Sequence, residues 1–127
     1  MSPETSVHRI GGSGVENLRL KPAEMLLSPA GFSVLLGGTA EEAAERMRRA
    51  FPDPVQNARL WEDSQIVGSA TVADILAAGF LVLPKPTRRL LNHARIVHPQ
   101  EVAGFSEENL IVLSKKFRET ATPESTP

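Results

Sequence analysis

The sequence contains no cysteine and no tyrosine, has a single tryptophan, and carries a formal net charge of only −1 from 14 basic and 15 acidic residues. The absence of cysteine excludes disulfides, thiolate metal ligands and thiol catalysis. A chain that is nearly neutral has no electrostatic reason to bind nucleic acid, whose affinity depends largely on neutralising phosphates. We therefore expect no nucleic-acid partner.

Long hydrophobic runs are also missing. The apolar stretches are interrupted within about ten residues, whereas a bilayer-spanning helix needs about 20. The first residues, MSPETSVHRI, lack the basic-then-apolar order of a signal peptide. Together these features predict a soluble, cytoplasmic protein with no membrane partner.

The length and apolar content fit one domain. A chain of 127 residues that is 41% hydrophobic is large enough for a single core, and two separate domains would each be marginal. Residues 1–14 are polar and end in Gly-Gly-Ser-Gly, so we expect a flexible leader. Residues 119–127 are rich in Thr, Pro, Ser and Glu, which predicts a disordered tail. The expected domain spans residues 15–118.

The clearest helix begins after Thr39. Thr39 and Glu42 form a capping box, in which each side chain accepts a hydrogen bond from the other residue's backbone N–H. Alanines, Met47 and Phe51 follow at helical spacing, and Pro52 ends the helix. Further caps predict helices that follow Asp53, span residues 71–78, and run from Ser106 to about Arg118.

The last of these helices has a predicted inner face. Phe105 and Leu110 stand at the two positions of a hydrophobic staple around the Ser106 cap. Leu110, Leu113 and Phe117 then recur on one side of the helix, so we expect them in the core.

Short apolar segments between the helices predict strands. They lie at residues 17–20, 31–35, 65–68, 80–83 and 90–97. The segment 80–83 is apolar throughout and is expected to be a buried strand. Because no strand–helix–strand repeat of sufficient length is present, the expected class is α+β: a small twisted sheet, split or continuous, antiparallel or mixed, packed by three to four short helices.

Several common functional sites are excluded because their sequence motifs are absent. The sequence has no phosphate-binding P-loop and no GxSxG nucleophile motif. His93 and His98 are five residues apart, which on a strand places them on opposite faces. With His8 far away in sequence, no metal site is expected.

The strand that follows the Pro-Lys-Pro turn carries the most interesting polar residues. Alternation places Ala94 and Ile96 towards the core and His93 and Arg95 outward together. A neutral imidazole beside a guanidinium is suited to a ribose or a phosphate. In the alternative interpretation, His93 and Asn92 only pin the preceding turn and Arg95 lies flat on the surface.

Three segments, residues 22–34, 83–87 and 92–99, carry a resemblance to a known family. In order, they contain Leu-Ser-Pro-Ala-Gly-Phe-Ser-Val, Leu-Pro-Lys-Pro-Thr and Asn-His-Ala-Arg-Ile-Val-His-Pro, before a closing helix. This series resembles the small type VI secretion toxin family over residues 21–117, although Ala94 stands where the family has an aromatic residue. That family's fold is similar to the fold of ADP-ribosyltransferases, which bind NAD in the cleft of a split sheet.

The resemblance implies that the protein cleaves NAD or transfers ADP-ribose, with NAD as substrate and no metal. It implies catalytic roles for Ser33, which would shape the sugar site, for His93, and for a carboxylate that assists departure of nicotinamide. Glu107 is the first candidate for that carboxylate, ahead of Glu101 and Glu108. The residues that would bind the nucleotide are Arg19, Lys21, Asn92 and Arg95.

The resemblance further implies an immunity or antitoxin protein, or delivery machinery, as partner, and export by a specialised secretion system. Two other classes stay open. One is a non-catalytic interaction or regulatory module, which predicts an exposed apolar patch. The other is a small hydrolase or nuclease of another fold. Convergence of Ser33, His93 and Arg95 in one cleft would favour the NAD enzyme.

Overall fold

The structure is a computed structural model that describes residues 2–11, 19–20, 22–55 and 65–119. Within these ranges six strands form one antiparallel sheet in the order β4-β5-β2-β1-β3-β6. The strands are β1 Ser6–Gly11, β2 Gly31–Leu36, β3 Gln65–Thr71, β4 Leu81–Pro84, β5 His93–Val97 and β6 Arg118–Glu119. The helices are α1 Pro22–Met25, α2 Ala40–Ala50, α3 Val72–Ala77 and α4 Glu107–Ser114. The expected α+β class is confirmed.

Both faces of the sheet are covered by helices. On one face, Phe32 and Val34 of β2 join the larger apolar cluster, to which α3 and α4 contribute Ile75 and Leu113. On the opposite face, a smaller cluster joins strand residues to α2; its members are Ile10, Leu35, Ala43 and Met47. Since neighbouring strand residues point to opposite faces, the two clusters show which side chains of a strand share a face.

The predicted caps are present. Thr39 Oγ1 accepts from the Glu42 N–H at 3.1 Å, and Glu42 Oε1 accepts from the Thr39 N–H at 3.0 Å. Thr71 and Asp74 form an equivalent box at the start of α3, and Ser106 caps α4. Leu110, Leu113 and Phe117 are buried, as expected, but α4 ends at Ser114, so Phe117 lies beyond the helix that was predicted to reach about Arg118. No helix in the described ranges combines the length and apolarity needed to cross a bilayer.

The flexible leader predicted for residues 1–14 is wrong for residues 6–11, which form β1 in the interior of the sheet between β2 and β3. Val7 is completely buried, and His8 and Arg9 are each only 2% exposed. The prediction failed because two polar residues interrupt the apolar pattern, and both are buried only because distant groups satisfy them. Glu119 was expected in the tail, but it lies in β6 and pairs with Gly68 of β3. Residues 120–127 lie outside the described ranges.

Two further strand predictions need correction. The segment 80–83 was expected to be a buried strand, but β4 is at the edge of the sheet, with Leu81 42% and Leu83 39% exposed. Residues 19–20 are not in a strand, and residues 17–18 lie outside the described part. The helix expected after Asp53 is described only at residues 54–55.

Candidate functional site

Three of the predicted site residues lie on one face of the sheet. Ser33 and Arg95 are direct cross-strand partners on β2 and β5, and His93 pairs with Leu35, one position further along the same face. Phe32 and Val34, which flank Ser33, both point into the larger cluster, so Ser33 points to the opposite face, on which α2 packs. The structure therefore brings Ser33, His93 and Arg95 onto one surface.

Arg95 and His93 nevertheless form hydrogen bonds with backbone carbonyls of the protein itself. Arg95 was expected to face outward, but it is only 9% exposed, and its Nη1 donates to the Pro29 carbonyl at 3.0 Å. The reason is Gly31, whose missing side chain leaves room for the aliphatic part of Arg95. His93 Nδ1 lies 3.1 Å from the Lys85 carbonyl, so the ring pins the preceding turn.

Glu107 lies elsewhere. It begins α4, which packs on the other face of the sheet, and it forms an exposed ion pair with Arg19 at 3.1 Å. The sheet thus separates Glu107 from Ser33 and His93. Glu101 caps the same helix by accepting from the Ser106 N–H and from Asn109 Nδ2, and these bonds lower the pKa of Glu101, with the Asn109 bond the largest cause.

The other predicted site residues have separate positions. Glu108 is exposed on α4. Lys21, which was expected to bind the nucleotide, lies outside the described residues. Asn92 lies just before β5, and its Nδ2 donates to the Leu36 carbonyl at 3.2 Å.

Asn92 lines a groove with three arginines that was not predicted from the sequence. The groove lies between the C-terminal half of α2 and the β4–β5 connection and has a volume of about 290 Å³. Its walls include Arg46, Arg49, Arg89, Leu90, Leu91 and Asn92, and none of its lining residues is acidic. Residues 75–100 contain four Lys or Arg residues and no Asp or Glu. The residues that line the groove therefore include three arginines and no carboxylate.

The arginines of the groove are held in different ways. Arg46 Nη2 donates to the carbonyls of Leu36 and Gly37, and its Nε is buried without a partner. The Arg89 guanidinium stacks over the Phe51 ring, 5.4 Å from its centroid. Arg49 is exposed and shares the Glu45 carboxylate with Arg48. Bonds to backbone and stacking on an aromatic ring fix a guanidinium without neutralising it.

A second polar group, His8, lies beside the turn that joins β2 to α2. His8 of β1 is buried against Ser69 of β3 and against the carbonyl of Gly38. Gly37 and Gly38 have φ of 80° and 74°, values that few other residues adopt, so the turn that carries these carbonyls needs glycine. The turn between β2 and α2 thus joins His8 on one side to Arg46 and Asn92 on the other.

No family model, curated protein or solved structure matches this chain. The resemblance to small secretion toxins therefore stays a prediction from motifs. In the described part of the chain, no group of three or more His, Cys, Asp and Glu side chains is placed to hold a metal ion.

Sequence reasoning missed His8, because its partners are distant along the chain. His8 is 61 residues from Ser69 and 30 residues from Gly38. Two signals were available in the sequence. One is the absence of acidic residues from residues 75–100, and the other is the apolar Val7 and Ile10 on either side of His8 and Arg9.

Proposed function

We propose that the protein binds a phosphate-bearing small molecule of nucleotide type, with NAD as the first ligand to test, in the groove formed by Arg46, Arg49, Arg89 and Asn92. The observation that supports it is the meeting of three guanidinium groups from two elements in one groove whose lining residues include no carboxylate. Like charges repel, and an anion bound among them relieves the repulsion.

Arginine suits this ligand class. Its planar fork binds phosphate through two parallel hydrogen bonds, and each charge-assisted bond is stronger than a neutral one. The volume of about 290 Å³ is at the lower end for ligand pockets, so it accommodates a pyrophosphate while a nucleoside extends outward. Leu91, which is 79% exposed, offers an apolar surface for that nucleoside.

Calorimetry tests the proposal with pyrophosphate, ADP-ribose and NAD at low ionic strength. We expect binding that weakens as salt is added, because surface charges are screened. Arg89→Gln should weaken it about tenfold, since a lost charge-assisted bond contributes about 1.4 kcal/mol or more.

Arg48→Gln is the matched control. Arg48 lies on the same helix turn as Arg49 and pairs with the same Glu45, but it does not line the groove. We expect Arg48→Gln to bind like wild type. Absence of heat with all three ligands, or equal weakening by Arg48→Gln and Arg89→Gln, would contradict the proposal.

A second candidate is the NAD cleavage or ADP-ribose transfer that the resemblance implies. It is favoured by the shared face of Ser33, His93 and Arg95, and by the position of Asn92, which lines the groove directly before His93. Release of nicotinamide from NAD, lost in a Ser33→Ala/His93→Ala double variant, would support it. Growth of bacteria that express the two forms tests whether the protein is a toxin.

Binding without nicotinamide release would instead support the non-catalytic module. In that case the double variant should bind NAD as wild type does, and neither form should impair growth. The same measurements thus separate the two functions.

A further inference from the structure

Ser69 and His8 do not line the proposed ligand groove. The two residues are direct partners on β3 and β1, and Ser69 Oγ lies 2.7 Å from His8 Nδ1. On the other side of the ring, His8 Nε2 lies 2.9 Å from the Gly38 carbonyl oxygen. These contacts form a chain from hydroxyl to imidazole to carbonyl.

The chain has a defined direction. A carbonyl oxygen only accepts, so Nε2 carries the hydrogen that is bonded to Gly38. A neutral imidazole has one N–H, which leaves a lone pair on Nδ1, and the Ser69 hydroxyl must therefore donate to it. This is the relation between a nucleophile and its base, with a third group that orients the base.

The surroundings disfavour the protonated imidazole. Burial lowers the pKa of His8, and the positive charge of Arg46 lowers it further, against the opposing effect of the hydrogen bonds to the Gly38 and Gly37 carbonyls. His8 is only 2% exposed, whereas Ser69 is partly exposed. The base is thus shielded from water while the hydroxyl-bearing residue reaches the surface.

We propose that Ser69 is a nucleophile activated by His8 and that it reacts with small carboxylic esters. The Ser69 oxygen forms a bond to the ester carbonyl carbon as its proton moves to His8 Nδ1. The Gly38 carbonyl stabilises the imidazolium by accepting from Nε2, the role that a carboxylate has at the other ring nitrogen, Nδ1, in serine hydrolases. The ester C–O bond then breaks, and the departing alkoxide takes the proton from Nδ1. Water hydrolyses the acyl-serine by the same route, with His8 as base.

A fluorophosphonate probe and p-nitrophenyl acetate test this proposal on the full chain. We expect one covalent adduct per chain on Ser69, located by fragmentation of the peptide that contains it. His8→Gln, which retains the serine but lacks the base, should label at least tenfold more slowly. Ser114→Ala is the control, because the Ser114 hydroxyl donates to the Ile111 carbonyl of its own helix and not to a histidine, and it should label at the wild-type rate.

Ser69→Ala should abolish the adduct and the release of p-nitrophenol. If that variant does not fold, the wild-type chain decides the matter through the position of the adduct. An adduct on another residue, absence of an adduct on folded protein, or unchanged labelling of His8→Gln would overturn the proposal. None of these outcomes depends on whether a nucleotide binds in the arginine groove.

Discussion

Arg9 and Glu24 form a buried ion pair beside the place where β1 and β2 part. Arg9 Nη1 donates to Glu24 Oε2 at 3.0 Å, and the two side chains are 2% and 5% exposed. The pairing of β1 with β2 ends at Arg9 and Val34, while β1 continues along β3 to Gly11.

The ion pair replaces the next backbone pairing. Glu24 accepts from the N–H of Ser33, and Arg9 Nη1 donates to the Ser33 carbonyl at 3.1 Å. Arg9 Nη2 also donates to the Arg19 carbonyl at 3.0 Å, and the guanidinium lies 4.2 Å from the centroid of the Phe32 ring. One side-chain pair thus fastens α1 and the segment at Arg19 to the sheet.

Removal of one charge of this pair should be costly. Glu24→Gln leaves the Arg9 cation buried without its counter-ion, and we expect the free energy of unfolding in urea to fall by about 3–5 kcal/mol. The control is Glu107→Gln, which breaks the exposed pair with Arg19 and should cost less than about 1 kcal/mol. Equal losses in the two variants would show that the buried pair has no special contribution.

Leu110→Ala should destabilise the protein by about 2–5 kcal/mol, because it removes a large side chain from the core. Ile111→Ala is the matched control, since Ile111 is the next residue of α4 and is 48% exposed, against 7% for Leu110. We expect a change within about 0.5 kcal/mol for the control. Urea denaturation of both variants measures the difference, and a larger loss for Ile111→Ala would mean that α4 packs through its other face.

Gly31→Ala should also destabilise the fold. A Cβ at Gly31 would lie 2.6 Å from Arg95 Cγ and 2.9 Å from Val97 Cγ1, and it would press on the Ile96 carbonyl oxygen. We expect a loss of about 1–3 kcal/mol from this overpacking, measured as a lower urea midpoint. Ser33→Ala, on the same face two residues along, removes an atom and should have a smaller effect. An unchanged midpoint for Gly31→Ala would mean that Arg95 does not lie over Gly31.

Stability should decrease in mild acid because of His8. Its pKa is lower in the folded protein, chiefly through burial, so the unfolded chain takes up a proton at a higher pH than the folded chain does. The contribution of neutral His8 is complete above about pH 6.5, the ordinary histidine value, and is lost as the pH falls from there to the lowered folded pKa.

Urea unfolding of wild type and His8→Gln between pH 7.5 and 5 measures this contribution, with a limiting slope of about 1.4 kcal/mol per pH unit. We expect the slope to be smaller in the variant. The lowered pKa of Glu42, caused mainly by the Thr39 backbone hydrogen bond, acts below its ordinary value of 4.5, outside this range. Identical slopes for the two proteins would show that His8 does not titrate differently on folding.

Local chemistry accounts for what could be predicted from the sequence. The boxes at Thr39 and Thr71 and the Ser106 cap require only residues three apart, so α2, α3 and α4 follow from short patterns. The α+β class follows from the alternation of these helices with short apolar segments. The exposed connection that begins after Pro84, the last residue of β4, follows from the prolines at positions 84 and 86.

Tertiary structure decided which polar residues are buried and what they meet. The sequence around His8 and Arg9 predicts a polar leader, because no residue near them along the chain supplies hydrogen-bond partners for their side chains. Glu24, Ser69 and Gly38 come together around it only when β1 enters the sheet between β2 and β3. The arginine groove likewise joins α2 to the connection between β4 and β5. A buried charge or a shared groove depends on atoms brought together from distant positions, which local patterns of hydrophobicity and capping do not contain.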